Sequence, residues 1–130
     1  MSSIFSKIIT GEIPCYKISE TDSCLAFLDI SPLAKGHVLV VPKEEIDNYF
    51  DLDPQLYAEL NAFAKKIAKA LQQTIPCERI GVAIIGLEVA HAHIHLIPIN
   101  TVGDIDFSKP KLTFPSNEML EIAKSIIEKL

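Results

Sequence analysis

From His91 to Leu96 histidine alternates with an apolar residue, His-Ala-His-Ile-His-Leu, and the chain continues Ile-Pro-Ile. A repeat of two belongs to extended backbone, where residues two apart share a face. The spacing therefore predicts a strand over residues 91–99. It puts the rings of His91, His93 and His95 on one face and turns Ala92, Ile94 and Leu96 towards a core. Any fold for this chain must offer a sheet with one packed face and one face that holds three imidazoles.

The rest of the chain supplies that sheet. Residues 16–19 and 24–28 read as a hairpin about the turn-forming Glu20-Thr21-Asp22-Ser23, and the aliphatic run 37–41 reads as a central strand closed by Pro42. Asp53 before Pro54 is a helix cap with proline at the first helical position. Leu56, Leu60, Phe63, Ile67 and Leu71 then recur at helical spacing to about Gln73. Residues 79–85 read as a further strand, joined tightly through Gly86-Leu87-Glu88 to the histidine strand. Ser2-Ser3 caps a short helix stopped by Gly11 and Pro14, and Ser116 caps a last helix with Leu120, Ala123, Ile127 and Leu130 inward. Residues 100–115 read as loop. Strands early and late around one long helix give an α+β class: a five-stranded antiparallel meander with the long helix and shorter terminal helices on one side. At 130 residues, one domain over 1–130 is expected.

Seventeen acidic residues against twelve basic ones leave a net charge of −5, which argues against binding nucleic acid or an anionic membrane surface. No apolar run approaches the roughly 20 residues of a membrane-spanning helix, and the N-terminus lacks the pattern of a signal peptide. Cys15, Cys24 and Cys77 are odd in number and form no C-x-x-C pair, which points to a reducing compartment; the cytoplasm is the expected location.

A single histidine near a core is more often structural than reactive, but three in alternation occupy positions that strands give to β-branched and aromatic residues. Metal binding is one use for them. Same-face positions are roughly 6.6 Å apart along a strand, so His91 and His95 are roughly 13 Å apart and cannot both reach one ion. Two of them with His37 remain open as ligands. Nucleophilic chemistry uses the row more fully, because a neutral imidazole attacks phosphorus while its neighbours hold phosphate oxygens or pass a proton. Packed rings cannot all be charged, which favours a neutral nucleophile beside a proton-donating partner.

The run His91 to Ile97 resembles the signature of the histidine-triad family, His-x-His-x-His followed by two hydrophobic residues. The resemblance extends to Ile4-Phe5, Lys7-Ile8-Ile9, Gly11-Glu12-Ile13-Pro14, Cys24-Leu25-Ala26-Phe27, Asp29-Ile30 and Gly36 to Lys43, and so covers most of residues 3–99. It implies that His93 forms a covalent nucleotidyl intermediate, that His95 holds the phosphate and assists the leaving group, and that His91 and His37 support them. It also implies that Asp29 binds the ribose hydroxyls beside a base pocket of Phe5, Ile8, Phe27 and Ile30, that the substrate is a purine nucleotide, and that the protein is a homodimer with the long helix at its interface.

Two departures stand out. Where some relatives carry C-x-x-C and a further histidine as zinc ligands, this chain has Ser3, Ser6 and Glu45, so neither a structural zinc nor any cofactor is expected. Just before the triad, where many relatives have Gly-Gln-Ser or Gly-Gln-Thr, it has Gly86-Leu87-Glu88; of this nucleotide-contacting segment, leucine donates nothing and ionised Glu88 only accepts. Glu88 is either a solvated loop carboxylate or an attractor for a cationic amine near the leaving group. The resemblance thus implies an enzyme that cleaves purine nucleoside 5′-phosphoramidates. A dinucleoside polyphosphate hydrolase or nucleotidyltransferase of the same family is the alternative, and a non-catalytic nucleotide-binding regulatory module is another.

Overall fold

The computed structural model describes residues 2–130. Its elements run α1 (Ile4–Ile9), β1 (Lys17–Glu20), β2 (Cys24–Leu28), β3 (Val38–Pro42), α2 (Pro54–Thr74), β4 (Arg79–Ala83), β5 (Ile94–Ile99) and α3 (Ser116–Ile127), with short 3-10 turns at Tyr49–Asp51 and Val102–Asp104. The five strands form one sheet in the order β1-β2-β3-β5-β4, antiparallel throughout. The order follows the chain through β3, where α2 carries it across to the far edge. β5 then returns between β3 and β4, so the last two strands depart from a simple meander.

Both long helices lie on one face. Cys24, Ala26 and Leu28 of β2, Val38 and Val40 of β3, and Ile94 and Leu96 of β5 pack there against Leu60, Phe63, Ile67 and Leu71 of α2 and Met119, Ile122 and Ile126 of α3. Full burial of a side chain such as Leu60 or Ile67 is worth about 1.5–3 kcal/mol. Asp53 caps α2 as expected, its carboxylate accepting from the Leu56 N–H at 2.8 Å. Helix α1 breaks the expectation of helices on one side: Phe5 packs on the opposite face against Leu25, Phe27, Leu39 and Val41. Gly36, at φ +87°, turns the chain into β3 where a Cβ would meet Ile75 of the α2 end at 2.8 Å.

Four local expectations need correction. The histidine strand begins at Ile94 instead of His91. Its pairing with β3 ends at Val40↔Ile94; carried two residues further, the register would set Ala92 against Pro42, which has no N–H to give. The Ala92 N–H donates instead to the Ile46 carbonyl at 2.7 Å. Consequently β4 stops at Ala83, and residues 84–93 form a loop longer than the expected tight connection. In α3, Met119, Ile122, Ala123 and Ile126 face inward, while Leu120, Ile127 and Leu130 are exposed. The buried set is an unbroken i, i+3, i+4, i+7 stripe; the Leu120 stripe carries Lys124 at its third place. Ser116 starts this helix without capping it, its hydroxyl instead accepting from the Tyr16 O–H.

Candidate active site

With Ile94 and Leu96 committed to the helix face, His95 must project from the other, where it pairs with Leu39 and meets the α1 side of the sheet. His91 and His93 share that side although their backbone lies outside the strand: the ring of Phe5 lies edge-on to both, with centroids 5.7 and 4.9 Å away. His93 and His95 follow in T-shaped contact at 4.9 Å. All four histidines of the chain are buried, and His37 joins the row from the position just before β3.

Hydrogen bonds set the proton positions. The Leu33 N–H donates to Nδ1 of His37 at 3.0 Å, so the proton of neutral His37 is on Nε2, which donates to Nδ1 of His95 at 2.9 Å. Nε2 of His95 therefore keeps an N–H for an incoming oxygen. Burial pushes His37 down to about 3 and His95 down to about 4, in each case helped by a neighbouring histidine, so both are neutral at pH 7. Phe107, from the segment after β5, closes over this pair with its ring centroid 4.8 Å from that of His95.

His93 is arranged in the opposite sense. Its Nδ1–H donates to the backbone carbonyl of His91 at 2.7 Å, which leaves the Nε2 lone pair free. Burial holds its basicity below the ordinary imidazole range, against the raising effect of that hydrogen bond and of the Glu88 charge. His91, fully buried, donates from Nε2 to the Pro42 carbonyl at 2.8 Å and shares a 2.7 Å bond with the Ser3 hydroxyl. Ser3 and Ser6 converge with Glu45, which accepts from the Ser3 N–H and the Ser6 hydroxyl, both at 2.6 Å. The positions read as replaced metal ligands thus lie together as a hydrogen-bonded clasp between α1 and the triad. These bonds hold the Glu45 carboxyl below its usual range.

Two cavities meet at His93. One, of about 230 Å³, is walled by Phe5, Ile8, Phe27 and Leu39 with Ile30 at its rim, and carries Asp29, Glu88 and His95. It gathers every residue expected in the nucleotide site except Gly86. Asp29 is mostly buried, its carboxyl raised by that burial against the pull of the Ser31 N–H bond. The other cavity, of about 370 Å³, is lined by Gly86, Leu87, Ile84 and Ile85 of the β4–β5 loop and by Asp47, Asn48, Tyr49 and Phe50 before α2. None of these but Gly86 and Leu87 was singled out from the sequence, because only the fold brings residues 47–50 beside the triad. Glu88 opens on the first cavity and not the second.

Among the described residues, Asp29, His37 and His95 offer one ligand atom each within 4.8 Å of one another. Both nitrogens of His37 are already bonded, so an ion there must displace either the Leu33 N–H or His95. No helix among the described residues is long and apolar enough to cross a membrane.

A family profile described as HIT domain matches residues 10–102. The chain is 41% identical over 99 residues to an adenosine 5′-monophosphoramidase of Schizosaccharomyces pombe, covering 75% of this chain and 74% of that protein. It is 40% identical over 108 residues to the protein named hit of Bacillus subtilis, covering 78% and 73%. Among solved structures, a HIT-like protein of Bartonella henselae superposes with a TM-score of 0.87 at 32% identity, over 99% of this chain and 96% of that one. A zinc-bound histidine triad family protein of Mycobacterium smegmatis gives 0.84 at 27%, over 99% and 93%.

Proposed function

The chain belongs to the histidine-triad (HIT) domain family, and from that membership we propose that it hydrolyses purine nucleoside 5′-phosphoramidates through a nucleotidyl intermediate on His93. One observation supports the reading: the His91 carbonyl takes the Nδ1–H of His93, which leaves the Nε2 lone pair free on a ring that lines the cavity proposed for the nucleoside. In the first step Nε2 bonds to phosphorus and the P–N bond breaks, the departing nitrogen taking its proton through water. In the second, a water oxygen bonds to phosphorus, the P–Nε2 bond breaks, and the water proton returns to solvent with release of the nucleoside monophosphate. Nε2–H of His95 holds a phosphoryl oxygen through both steps. Asp29 accepts from the ribose hydroxyls, and Phe5, Ile8, Phe27 and Ile30 cover the base. A homodimer formed along the open edge of β4 and the adjoining face of α2 belongs to the same proposal, as does a cytoplasmic location, in keeping with three unpaired cysteines.

Mass spectrometry of the enzyme, quenched in base during turnover of adenosine 5′-phosphoramidate, tests this. A nucleotidyl adduct on the His93 peptide is expected, and His93→Ala should still bind nucleotide while losing at least about 10³-fold in kcat. An adduct elsewhere, or a fully active His93→Ala, refutes the mechanism.

A further inference from the structure

Resting on the phosphoramidase reading, we infer that the second cavity at His93 is the leaving-group subsite and that it takes an amine with an apolar or aromatic body. His93 is the one histidine shared by the two cavities. A phosphorus set against its Nε2 stands at their junction. The apolar first cavity accommodates the nucleoside, and the remaining substituent on phosphorus has the larger space, about 370 Å³, to enter.

The walls of that space define its occupant. Phe50 and Leu87 are 82% and 90% exposed, and Ile84 and Ile85 are also exposed. Large apolar side chains left this open gain by being covered, and a ligand with an apolar body covers them. The carboxylate is that of Asp47, and among the described residues no lysine or arginine lines the cavity. A nucleoside polyphosphate leaving group would bring several negative charges against Asp47 with no cation to meet them. An amine instead becomes an ammonium on release, of the sign opposite to Asp47. Leu87 reinforces the choice: where many relatives present an amide, this chain presents a side chain that gives no hydrogen bond to a phosphate.

The test compares kcat/KM of the full chain on four substrates: unsubstituted adenosine 5′-phosphoramidate, its N-benzyl derivative, its derivative with glycine as the amine, and a diadenosine triphosphate. The benzyl substrate is expected to exceed the glycine derivative and the triphosphate by at least about tenfold. Phe50→Ser and Leu87→Gln should each lower the ratio of benzyl to unsubstituted substrate several-fold, and Asp47→Lys should raise turnover of the glycine derivative. Because Phe50 and Leu87 are so exposed, folding is not at stake in these variants. A benzyl ratio unchanged in both variants overturns the subsite. So does a parallel fall on every substrate accompanied by dissociation into monomers in sedimentation, which would mark these residues as a subunit contact. If the parent turns over none of the four, or His93→Ala turns them over, the phosphoramidase reading itself fails and the subsite with it; His93-dependent turnover indifferent to the leaving group sinks the subsite alone.

Discussion

Leu33 and His91 set the proton positions of the row through their backbones, one by an N–H and the other by a carbonyl, and so give adjacent imidazoles the opposite roles that the proposed chemistry needs. The Leu33 N–H fixes His37, which fixes His95 as a donor; the His91 carbonyl fixes His93 as a lone pair. His37→Gln breaks this ordering at its second link. We expect kcat for phosphoramidate hydrolysis to fall about tenfold with little change in KM, as the donor at His95 loses its orientation. The same histidines make stability depend on pH. His37 at about 3 and His95 at about 4 lie below the ordinary imidazole value, so the unfolded chain binds more protons in the interval up to about 6.5. Stability is therefore full above that value and lost on acidification, by up to about 1.4 kcal/mol per pH unit for each ring. Asp29, raised by burial, opposes this at the acid end. Melting temperatures between pH 7 and 4.5 should fall steeply for the parent and less for His37→Gln; equal slopes would contradict the assignment. The alternation of His91, His93 and His95 made their shared face legible in the sequence. Their proton positions were not, because those depend on a carbonyl and an N–H that any residue type supplies.

At the scale of elements, α1 shows how a short helix is held where its length alone would not hold it. Six residues are too few for independent stability, and both ends of its attachment are polar. Ser3 caps the helix through the Ser6 N–H and binds the His91 ring, while Glu45 reaches across to Ser3 and Ser6. Since α1 carries Phe5 and Ile8 of the cavity proposed for the nucleoside, the clasp sets the cavity wall. Ser3→Ala should cost about 1 kcal/mol of stability through the lost cap. Ser3→Ala and Glu45→Ala should each raise KM for the nucleotide about fivefold while kcat changes less than about twofold, because the wall loosens while His93 keeps its carbonyl partner. Steady-state kinetics and a melting curve check this; a loss confined to kcat would place the serine in the chemistry instead. Helices α1 and α2 were readable from caps and periodicity. The register of α3 was not, since two stripes compete there and only the packing against β1 and α2 chooses between them. The start of β5 was missed for a related reason: alternation reports extended backbone, and whether that backbone pairs depends on Pro42 in another strand.

On the scale of the whole molecule, the sheet is a partition, with helices α2 and α3 building the core on one side and α1 packing beside the histidine row on the other. Its β1 edge is flanked by Lys17 and Glu20, charged residues that discourage further pairing. The β4 edge is different. Val82 lies opposite Leu96 and so shares the face of the sheet that α2 covers, yet it remains 59% exposed, and Tyr57 of α2 is exposed as well. An unpaired edge carrying exposed apolar side chains is a template for a second strand, and an identical β4 related by a two-fold axis satisfies both edges at once. Val82→Lys would set like charges close together across that axis while leaving the monomer core untouched. Sedimentation should then find the parent at twice the monomer mass and Val82→Lys as a monomer with an unchanged far-ultraviolet circular dichroism spectrum. A parent that sediments as a monomer at micromolar concentration, or a variant that stays dimeric, would place the contact elsewhere. Turnover measured on the same samples then shows whether the cavity proposed for the leaving group, which adjoins the end of β4 at Ile84 and Ile85, depends on the proposed dimer.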